Sequence, residues 1–301
     1  MFIDIHGHTR LFQAPLVNGT PVVTLPEELI KRYDTLGIER AVLLPIASPG
    51  CIIDPQSNEE ILEVSQQHKD RFIPFCNIDP RAINNTVNAP LGDLLKHYAE
   101  QGCKGIGEVT ANMHILDPKV QNLFKHVQDV GFPLTFHLAP TDQGGFYGLV
   151  DEPGLPGLEL SMQRFPELKF FGHSQTFWSE ISVLDTVGDR NAYPNYPVKQ
   201  EGALPKLMRK YPNLYGDISA GSGHNALARD AEYAVRFLNE FQDRLMFGTD
   251  ICAPGTPTPL VDFLIELRDS KKIPEEVFQK VARENAIRIL NLTEISENEK
   301  D

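Results

Sequence analysis

Two histidines near the start of the chain are the first residues whose types and spacing suggest chemistry. His6 and His8 close the apolar stretch that begins at Phe2. Side chains two positions apart on a strand point to the same face, so this stretch is predicted to present both imidazoles together. Imidazole is a common ligand of zinc and similar divalent ions, and a catalytic metal site needs three or more protein ligands. The pair therefore predicts two of the ligands of a metal site.

Further ligand-type side chains end other short apolar stretches. They are Glu108, His137, His173 and Asp250. Carboxylate and imidazole together accept divalent zinc, manganese or iron. We therefore expect a divalent metal site, with Zn²⁺ as the first choice and Mn²⁺ or Fe²⁺ compatible, whose ligands are these four residues together with His6 and His8.

The size and charge of the chain indicate one enzyme domain that acts on a small molecule. Its 301 residues carry 28 basic and 41 acidic side chains, a formal net charge of −13. A single α/β barrel typically needs about 250 residues, so we expect one domain over residues 1–301. The acidic balance gives no basic surface for nucleic acid or a membrane, although the ions of a phosphodiesterase would supply positive charge. Whether the chain forms a homo-oligomer is left open.

Cysteine usage and the apolar stretches bear on location. The chain has four cysteines, none in a C-x-x-C pair, and a chain of this size needs no disulfide. The first predicted strand begins at Phe2, which leaves no room for a signal peptide. No apolar run approaches the roughly 20 residues that span a bilayer. We therefore expect reduced thiols and a cytoplasmic protein.

Strand-like and helix-like patterns alternate along the chain. A helical stripe over residues 91–98 ends at Gly102, just before the stretch that closes with Glu108. Asp117-Pro118 starts another helix, which precedes the stretch that closes with His137. Eight predicted strands alternating with helices favour a single (β/α)8 TIM barrel, with a doubly wound open sheet as the alternative. The barrel is preferred because only a closed sheet gathers the ligands, at the C-terminal face of the strands.

In these motifs and their order, the chain resembles the amidohydrolase superfamily. Within it, the chain is similar to the amidohydrolase-2 branch of metal-dependent hydrolases and non-oxidative decarboxylases, and the resemblance covers nearly the whole chain. The motifs are His6-Gly7-His8, His137, Gly172-His173, residues 211–215 (Tyr-Pro-Asn-Leu-Tyr), Phe247-Gly248-Thr249-Asp250 and Glu284-Asn285-Ala286. The resemblance implies a TIM barrel and a metal-dependent enzyme.

The number of metal ions depends on whether Glu108 bridges them. Many relatives bridge two metals with a modified lysine on the fourth strand, whereas Gly107-Glu108 resembles the strand of members in which glutamate bridges. With a bridge, one ion is held by His6, His8, Glu108 and Asp250 and the other by Glu108, His137 and His173. Without it, the ligands of a single ion are His6, His8, His137 and Asp250. We favour two ions or a readily occupied second position.

The expected chemistry follows from the ion. A bound divalent metal lowers the pKa of its water to about 7 and polarises a carbonyl or phosphoryl oxygen. We expect Asp250 to take the proton of the attacking water and return it to the leaving group. His173, if it is not a ligand, would stabilise the developing oxyanion. The first hypothesis is hydrolysis of an amide, lactam, lactone or ester bond of a small molecule.

A second hypothesis assigns a different reaction to the same fold and metal. It is non-oxidative decarboxylation, or hydration, of a small carboxylated or aromatic compound, and both reactions occur in the branch that the chain resembles. A substrate carboxylate would favour a bidentate guanidinium. Arg10 lies two residues beyond His8 and is the first candidate, whereas Arg81 and Arg190 lie in loops of uncertain position.

Substrate contacts are expected from the loops after the strands. His224, which follows strand seven, is a candidate contact. Aromatic loop residues would suit a flat substrate, and they are Phe146, Tyr147, Trp178 and Tyr193. A third hypothesis, binding without turnover, is disfavoured because all six ligand positions keep ligand-type side chains.

Overall fold

Eight parallel strands form the frame of the part of the chain that the computed structural model describes, residues 1–51 and 55–293. The domain expected over residues 1–301 also includes residues 52–54 and 294–301, which lie outside the described residues. The strands are β1 (Phe2–Gly7), β2 (Ile38–Leu43), β3 (Phe72–Pro74), β4 (Ile106–Val109), β5 (Leu134–Ala139), β6 (Phe170–His173), β7 (Leu214–Asp217) and β8 (Leu245–Met246).

Helices follow the strands around the outside of this frame. The α-helices of the described residues are α1 (Pro26–Leu36), α2 (Asn58–Gln67), α3 (Leu91–Glu100), α4 (Pro118–Val130), α5 (Pro156–Arg164), α6 (Gln175–Ser179), α7 (Ala203–Lys210), α8 (Ala220–Ala228), α9 (Ala231–Glu240), α10 (Pro259–Asp269), α11 (Glu275–Gln279) and α12 (Asn285–Leu290). A 3₁₀ turn over Val187–Asn191 lies in the long loop between α6 and α7. Short two-residue strands pair within the loops, at Leu16–Val17 with Thr20–Pro21 and at Met113–His114 with Leu149–Val150.

Local sequence explains where helices begin and end. The Asp117 side chain caps α4 by accepting a hydrogen bond from the Lys119 amide at 2.8 Å. Gly131 ends α4 in the left-handed conformation, at φ 81°, which glycine adopts without steric cost. Both predicted helices, the one that follows Asp117 and the one over residues 91–98, are confirmed.

The strands divide into two hydrogen-bonded sheets. One has the order β1-β2-β3, and the other runs through β4, β5, β6, β7 and β8. Between β3 and β4, Cys76 accepts a backbone hydrogen bond from Gly107 at 2.9 Å and donates one to Gly105 at 3.0 Å. These two bonds join the sheets on one side.

The second junction lies between β8 and β1 and closes the ring. The Ile5 amide donates to the Phe247 carbonyl at 3.1 Å, and the Asp250 amide donates to the His6 carbonyl at 2.7 Å. A further bridge pairs Gly7 with Ile251. The first and last strands are therefore neighbours, which confirms the barrel and excludes the doubly wound open sheet.

Two apolar clusters fill the barrel and its surroundings. The smaller one lies inside the ring and is closed at one end by α12, through Ala286, Ile289 and Leu290. Its strand residues are Ile3, Ile5, Val42, Leu44, Ile73, Phe75, Phe171, Tyr215 and Met246. The larger cluster packs the outer faces of the strands against the helices. Among the described residues, no helix has both the length and the apolar character to cross a bilayer.

Gly216→Ala tests the packing of β7 against β8 and α6. A Cβ at Gly216 would lie 2.8 Å from a methyl carbon of Leu245 and 2.9 Å from the Trp178 ring. Overpacking of this kind costs about 1–3 kcal/mol, so the free energy of unfolding in urea should fall by about that amount. Gly144→Ala is the control, because nothing lies within 4 Å of its Cβ position. Equal stability of the two variants would contradict the described packing.

Candidate metal centre

All six predicted metal ligands come together at the C-terminal ends of their strands. His6 lies on β1 and His8 directly follows it, Glu108 lies on β4, His137 lies on β5, His173 ends β6 and Asp250 follows β8. They form overlapping groups in which the ligand atoms lie within 4.8 Å of one another. The groups are His6–His173–Asp250, His6–His8–Glu108, His8–Asp250–Cys252 and Glu108–His137–His173.

Glu108 lies between two pairs of histidines. Its Oε2 is 3.6 Å from His6 Nε2. Its Oε1 is 2.7 Å from His137 Nδ1 and 3.8 Å from His173 Nε2. The two carboxylate oxygens thus face different histidines, which is the arrangement that a bridging carboxylate requires. Among the groups found in the described residues, none combines His137 with His8.

Asp250 reaches the same centre from the opposite side of the ring. Its Oδ1 is 3.3 Å from His8 Nε2 and 3.7 Å from His6 Nε2. Its Oδ2 is 3.7 Å from His173 Nε2. The residue adopts a left-handed conformation at φ 55°, which aspartate tolerates better than most residues. The hydrogen bond from the Asp250 amide to the His6 carbonyl holds this carboxylate next to His6 and His8.

Asp217, which the sequence reasoning missed, orients His6. It ends β7 and is fully buried, and its Oδ2 lies 2.5 Å from His6 Nδ1. Its Oδ1 accepts a hydrogen bond from the Ser219 amide at 3.0 Å. A carboxylate on one imidazole nitrogen turns the other toward a metal and makes it more basic. The signal was available, because Asp217 ends a predicted strand as the other ligands do.

A backbone carbonyl orients the His8 ring, and a buried carboxylate binds the backbone of His6. His8 Nδ1 lies 2.9 Å from the Leu44 carbonyl oxygen, so its Nε2 is the nitrogen that faces Asp250. Asp4 lies beneath His6 and accepts hydrogen bonds from the His6 amide at 2.8 Å and the Tyr33 hydroxyl at 2.8 Å. Burial raises the pKa of Asp4 to about 6, although these hydrogen bonds oppose the rise.

Three carboxylates converge on the buried His6 ring. Burial disfavours a charged imidazole, yet the carboxylates outweigh burial and hold the pKa of His6 well above its usual range. They belong to Asp217, Asp250 and Glu108. Burial would raise the pKa of Glu108, but His137 and His6 hold it well below its usual range. The three carboxylates therefore make the centre strongly negative, which favours the binding of a cation.

The His6 ring also provides the direct test of whether these residues fit a metal. His6 is fully buried, and its Nε2 has no hydrogen-bond partner among the described residues. A buried polar atom without a partner is costly. This nitrogen faces Glu108 and Asp250 at distances too long for hydrogen bonds, as ligands around one ion would. The donor set and the orphaned nitrogen fit a divalent cation.

His173 differs from His6 in its charge. Burial, reinforced by the neighbouring His6, lowers the pKa of His173 to about 4, so the ring is neutral at physiological pH. Its Nδ1 lies 3.0 Å from the Ser219 hydroxyl. Its Nε2 points toward Glu108 and Asp250. A neutral ring in this orientation is able to act as a ligand.

The three predicted substrate contacts lie in different surroundings. Arg10 is buried, and its Nε is 3.6 Å from Glu60 Oε1. His224 is half-buried on α8, with its ring 5.7 Å from that of Phe263. The structure gives Trp178 a packing role instead of a pocket role, because the indole is 1% exposed and donates through Nε1 to the Asp217 carbonyl. Trp178 thus supports the strand that carries Asp217.

Tyr147 is the aromatic loop residue that the structure brings to the centre. Its ring lies 4.5 Å from the His137 ring, and 38% of the residue is exposed. Burial and the charge of Glu108 raise the pKa of the phenol, so it stays neutral. Cys252 also borders the centre, with its thiol donating to Asp250 Oδ1 at 3.6 Å. These side chains form the rim above the ligands.

A family model described as Amidohydrolase matches residues 3–292. No curated protein matches the chain significantly. Among solved structures, the chain is similar to an uncharacterised TIM-barrel protein from Bordetella bronchiseptica, with 17% identity and a TM-score of 0.64 over 96% of this chain and 98% of that chain.

Two further solved structures with a similar fold have described activities. A probable 2-pyrone-4,6-dicarboxylic acid hydrolase from Acinetobacter baumannii is 14% identical, with a TM-score of 0.57 over 97% of this chain and 99% of that chain. A 2,6-dihydroxybenzoate decarboxylase from Rhizobium is 15% identical, with a TM-score of 0.60 over 96% of this chain and 98% of that chain. At these identities the likeness shows the fold, a TIM barrel.

Asp217→Asn tests the orientation of His6. The amide keeps the size of the side chain but removes the charge that holds the imidazole, so affinity for a divalent metal should fall about 10- to 100-fold. Competition with a chromogenic chelator measures this affinity, and circular dichroism checks that the fold is kept. Asp129→Asn, at an exposed pair with Lys125, is the control. Unchanged metal affinity in Asp217→Asn would contradict the role given to Asp217.

Proposed function

The chain belongs to the amidohydrolase family, and from this premise we propose that it is a metal-dependent hydrolase. Its reaction is the attack of an activated water on an amide, lactam, lactone or ester bond of a small molecule. The observation that carries the proposal is the position of Glu108, whose two oxygens face His6 on one side and His137 and His173 on the other. Sites with two bridged ions are typical of hydrolytic enzymes.

The ligand residues divide into two sets in this proposal. One ion would be held by His6, His8, Glu108 and Asp250, and a second by Glu108, His137 and His173. When bound, a divalent ion lowers the pKa of a water to about 7 and polarises the oxygen of a scissile bond. Zn²⁺ suits the imidazole and carboxylate donors best, and Mn²⁺ or Fe²⁺ is compatible with them.

Asp250 is the residue that we assign to proton transfer. Burial would raise the pKa of its carboxyl group, but His6 and the other neighbouring histidines outweigh burial and lower it to about 2. The carboxylate is therefore ionised at neutral pH and able to accept a proton from the attacking water. The side chain of Asp250 is 24% exposed, whereas that of Glu108 is 5% exposed. Asp250 is therefore the carboxylate that a substrate reaches from the mouth of the barrel.

The other residues of the centre position the histidines or contact the substrate. Asp217 holds His6, and the Ser219 hydroxyl contacts Nδ1 of the neutral His173 ring. If Glu108 does not bridge two ions, His173 is instead placed to donate a hydrogen bond to the developing oxyanion. The exposed face of Tyr147 above His137 offers a flat apolar surface, which favours a planar ring in the substrate.

The alternative function is metal-dependent decarboxylation or hydration of a small carboxylated or aromatic compound. The exclusion of solvent from the centre favours it, since His6, His8 and His173 are each at most 2% exposed and a carbanion needs protection from water. The similar structures include a 2,6-dihydroxybenzoate decarboxylase and a 5-carboxyvanillate decarboxylase. Both functions use a small-molecule substrate. The cytoplasmic location stays a prediction from the sequence, and the oligomeric state stays open.

Glu108→Gln tests the two-ion arrangement. A neutral amide bridges two cations poorly, so the variant should bind no more than one divalent ion per chain where the wild type binds up to two. Metal content after equilibrium dialysis, measured by inductively coupled plasma mass spectrometry, gives the ratio. Glu100→Gln, at the exposed end of α3, is the control. Equal metal content in wild type and Glu108→Gln would rule out the bridging role.

Turnover of a panel of lactones, amides and aromatic carboxylates tests the reaction itself. A hydrolase should incorporate ¹⁸O from labelled water into its product, as seen by mass spectrometry, and should lose activity when a chelator removes the metal. Asp250→Asn should lower kcat by about 10²- to 10⁴-fold, because the proton acceptor is gone. Release of carbon dioxide without incorporation of ¹⁸O would replace the hydrolase with the decarboxylase.

A further inference from the structure

A cavity of about 520 Å³ lies outside the barrel, on the flank formed by the loop after α6. Its walls are residues 153–154 before α5, residues 180–190 of that loop, and the start of α7. None of the six predicted metal ligands lines it, so it is distinct from the metal centre. Cavities of this size, about 300–1,000 Å³, commonly hold small molecules.

A buried arginine faces this flank cavity with unused hydrogen-bonding capacity. Arg190 is 6% exposed, and its Nε donates to Glu180 Oε1 at 3.0 Å. Its Nη2 is buried and has no hydrogen-bond partner within the described residues. A guanidinium nitrogen left in this state is costly, and the planar guanidinium group matches a carboxylate. Arg190 therefore indicates an anionic ligand.

The start of α7 places a second cation on the cavity wall. Lys206 lies near the start of α7 and lines the same cavity. The backbone amides at this end of the helix are already used, since Gly202 donates to the Ile181 carbonyl at 3.1 Å and Leu204 donates to the Glu180 carbonyl at 3.0 Å. The attraction for an anion therefore comes from side chains.

The two acidic residues of the cavity wall already have partners. Glu180 accepts the hydrogen bond of Arg190 and another from the Gly154 amide at 3.1 Å. Asp185 is 3.2 Å from the ammonium group of Lys199. Glu180 accepts from Nε of Arg190, which leaves Nη2 of Arg190, together with Lys206, to attract an anion.

The rest of the cavity wall is apolar and partly exposed. Val183 is 51% exposed and Val187 is 90% exposed, and Leu184 lies between them on the same wall. Exposed apolar side chains gathered next to a buried cation suit a ligand with one charged end and an apolar body. Inorganic phosphate or sulfate would leave these side chains in contact with water.

We propose that this cavity binds a small organic acid. The carboxylate pairs with Arg190 beside the first turn of α7, and the apolar body packs on Val183, Leu184 and Val187. The site is separate from the substrate site at the metal centre, and the proposal does not depend on which reaction occurs there.

Calorimetry on the intact, metal-loaded protein tests the proposal, with octanoate and 3-phenylpropionate as probes and octanamide as the neutral control. The acids should bind saturably and the amide should bind much more weakly. Arg190→Gln should weaken binding of the acids about 10- to 100-fold, since a charge-assisted hydrogen bond is lost. Arg268→Gln makes the same change of charge on α10, away from the cavity, and should leave binding unchanged.

A second pair of variants avoids any loss of stability from changing a buried arginine. Val187→Asp places a negative charge at the cavity and should weaken binding, whereas Val187→Asn should keep most of the affinity. Val187 is 90% exposed, so both variants should fold. Binding of the acids that is absent, or unaffected by both Arg190→Gln and Val187→Asp, would overturn the proposal. A change of oligomeric state in Val187→Asp with unchanged acid binding would overturn it and assign the cavity to a contact between copies.

Discussion

The convergence of three carboxylates on one buried imidazole is the interaction on which the functional end of the barrel depends. Asp217, Glu108 and Asp250 end different strands or follow them, and each directs a negative charge toward His6. Groups of like charge repel one another, and burial makes each of them costly. They stay together because the closed ring of strands holds their backbones in place. Within this arrangement the pKa of Asp250 is lowered to about 2 and that of His173 to about 4, so at physiological pH the carboxylate is ionised and this imidazole is neutral.

Much of the barrel and its centre was predictable because parallel strands place their C-terminal ends at one face. A ligand-type residue at the end of a buried stretch is sufficient to predict that His137 and Glu108 lie at this face. Asp217 satisfies the same rule, because it ends the predicted seventh strand. Trp178 shows a different limit. The sequence placed it in a long loop after β6, but whether such a loop turns its indole toward a pocket or into the core depends on packing from distant segments.

The periodicity of the sequence also does not predict which side of the sheet each residue of β1 faces. Strict alternation would separate Ile5 from the inside of the barrel if His6 faces the centre. The pairing of β1 with β2 is irregular between Asp4 and Gly7, and this irregularity lets Ile3 and Ile5 join the inner cluster while His6 turns toward the carboxylates. An insertion or shift in register changes which side of a sheet a residue faces. Alternation predicted the pair of histidines correctly, but it did not predict how the apolar residues beside them are buried.

The contact between β1 and the segment that follows β8 has a consequence for biosynthesis. Thr249 donates its amide hydrogen bond to Asp4 across 245 positions, and the β8 to β1 junction has a similar span. Contacts of such long range form late, because most of the chain must be available before the loop can close. On the ribosome, His6 and His8 emerge long before Asp250 can arrive beside them. The full set of candidate ligands is therefore brought together only after Asp250 has been synthesised, and until then the growing chain offers a metal an incomplete set of donors.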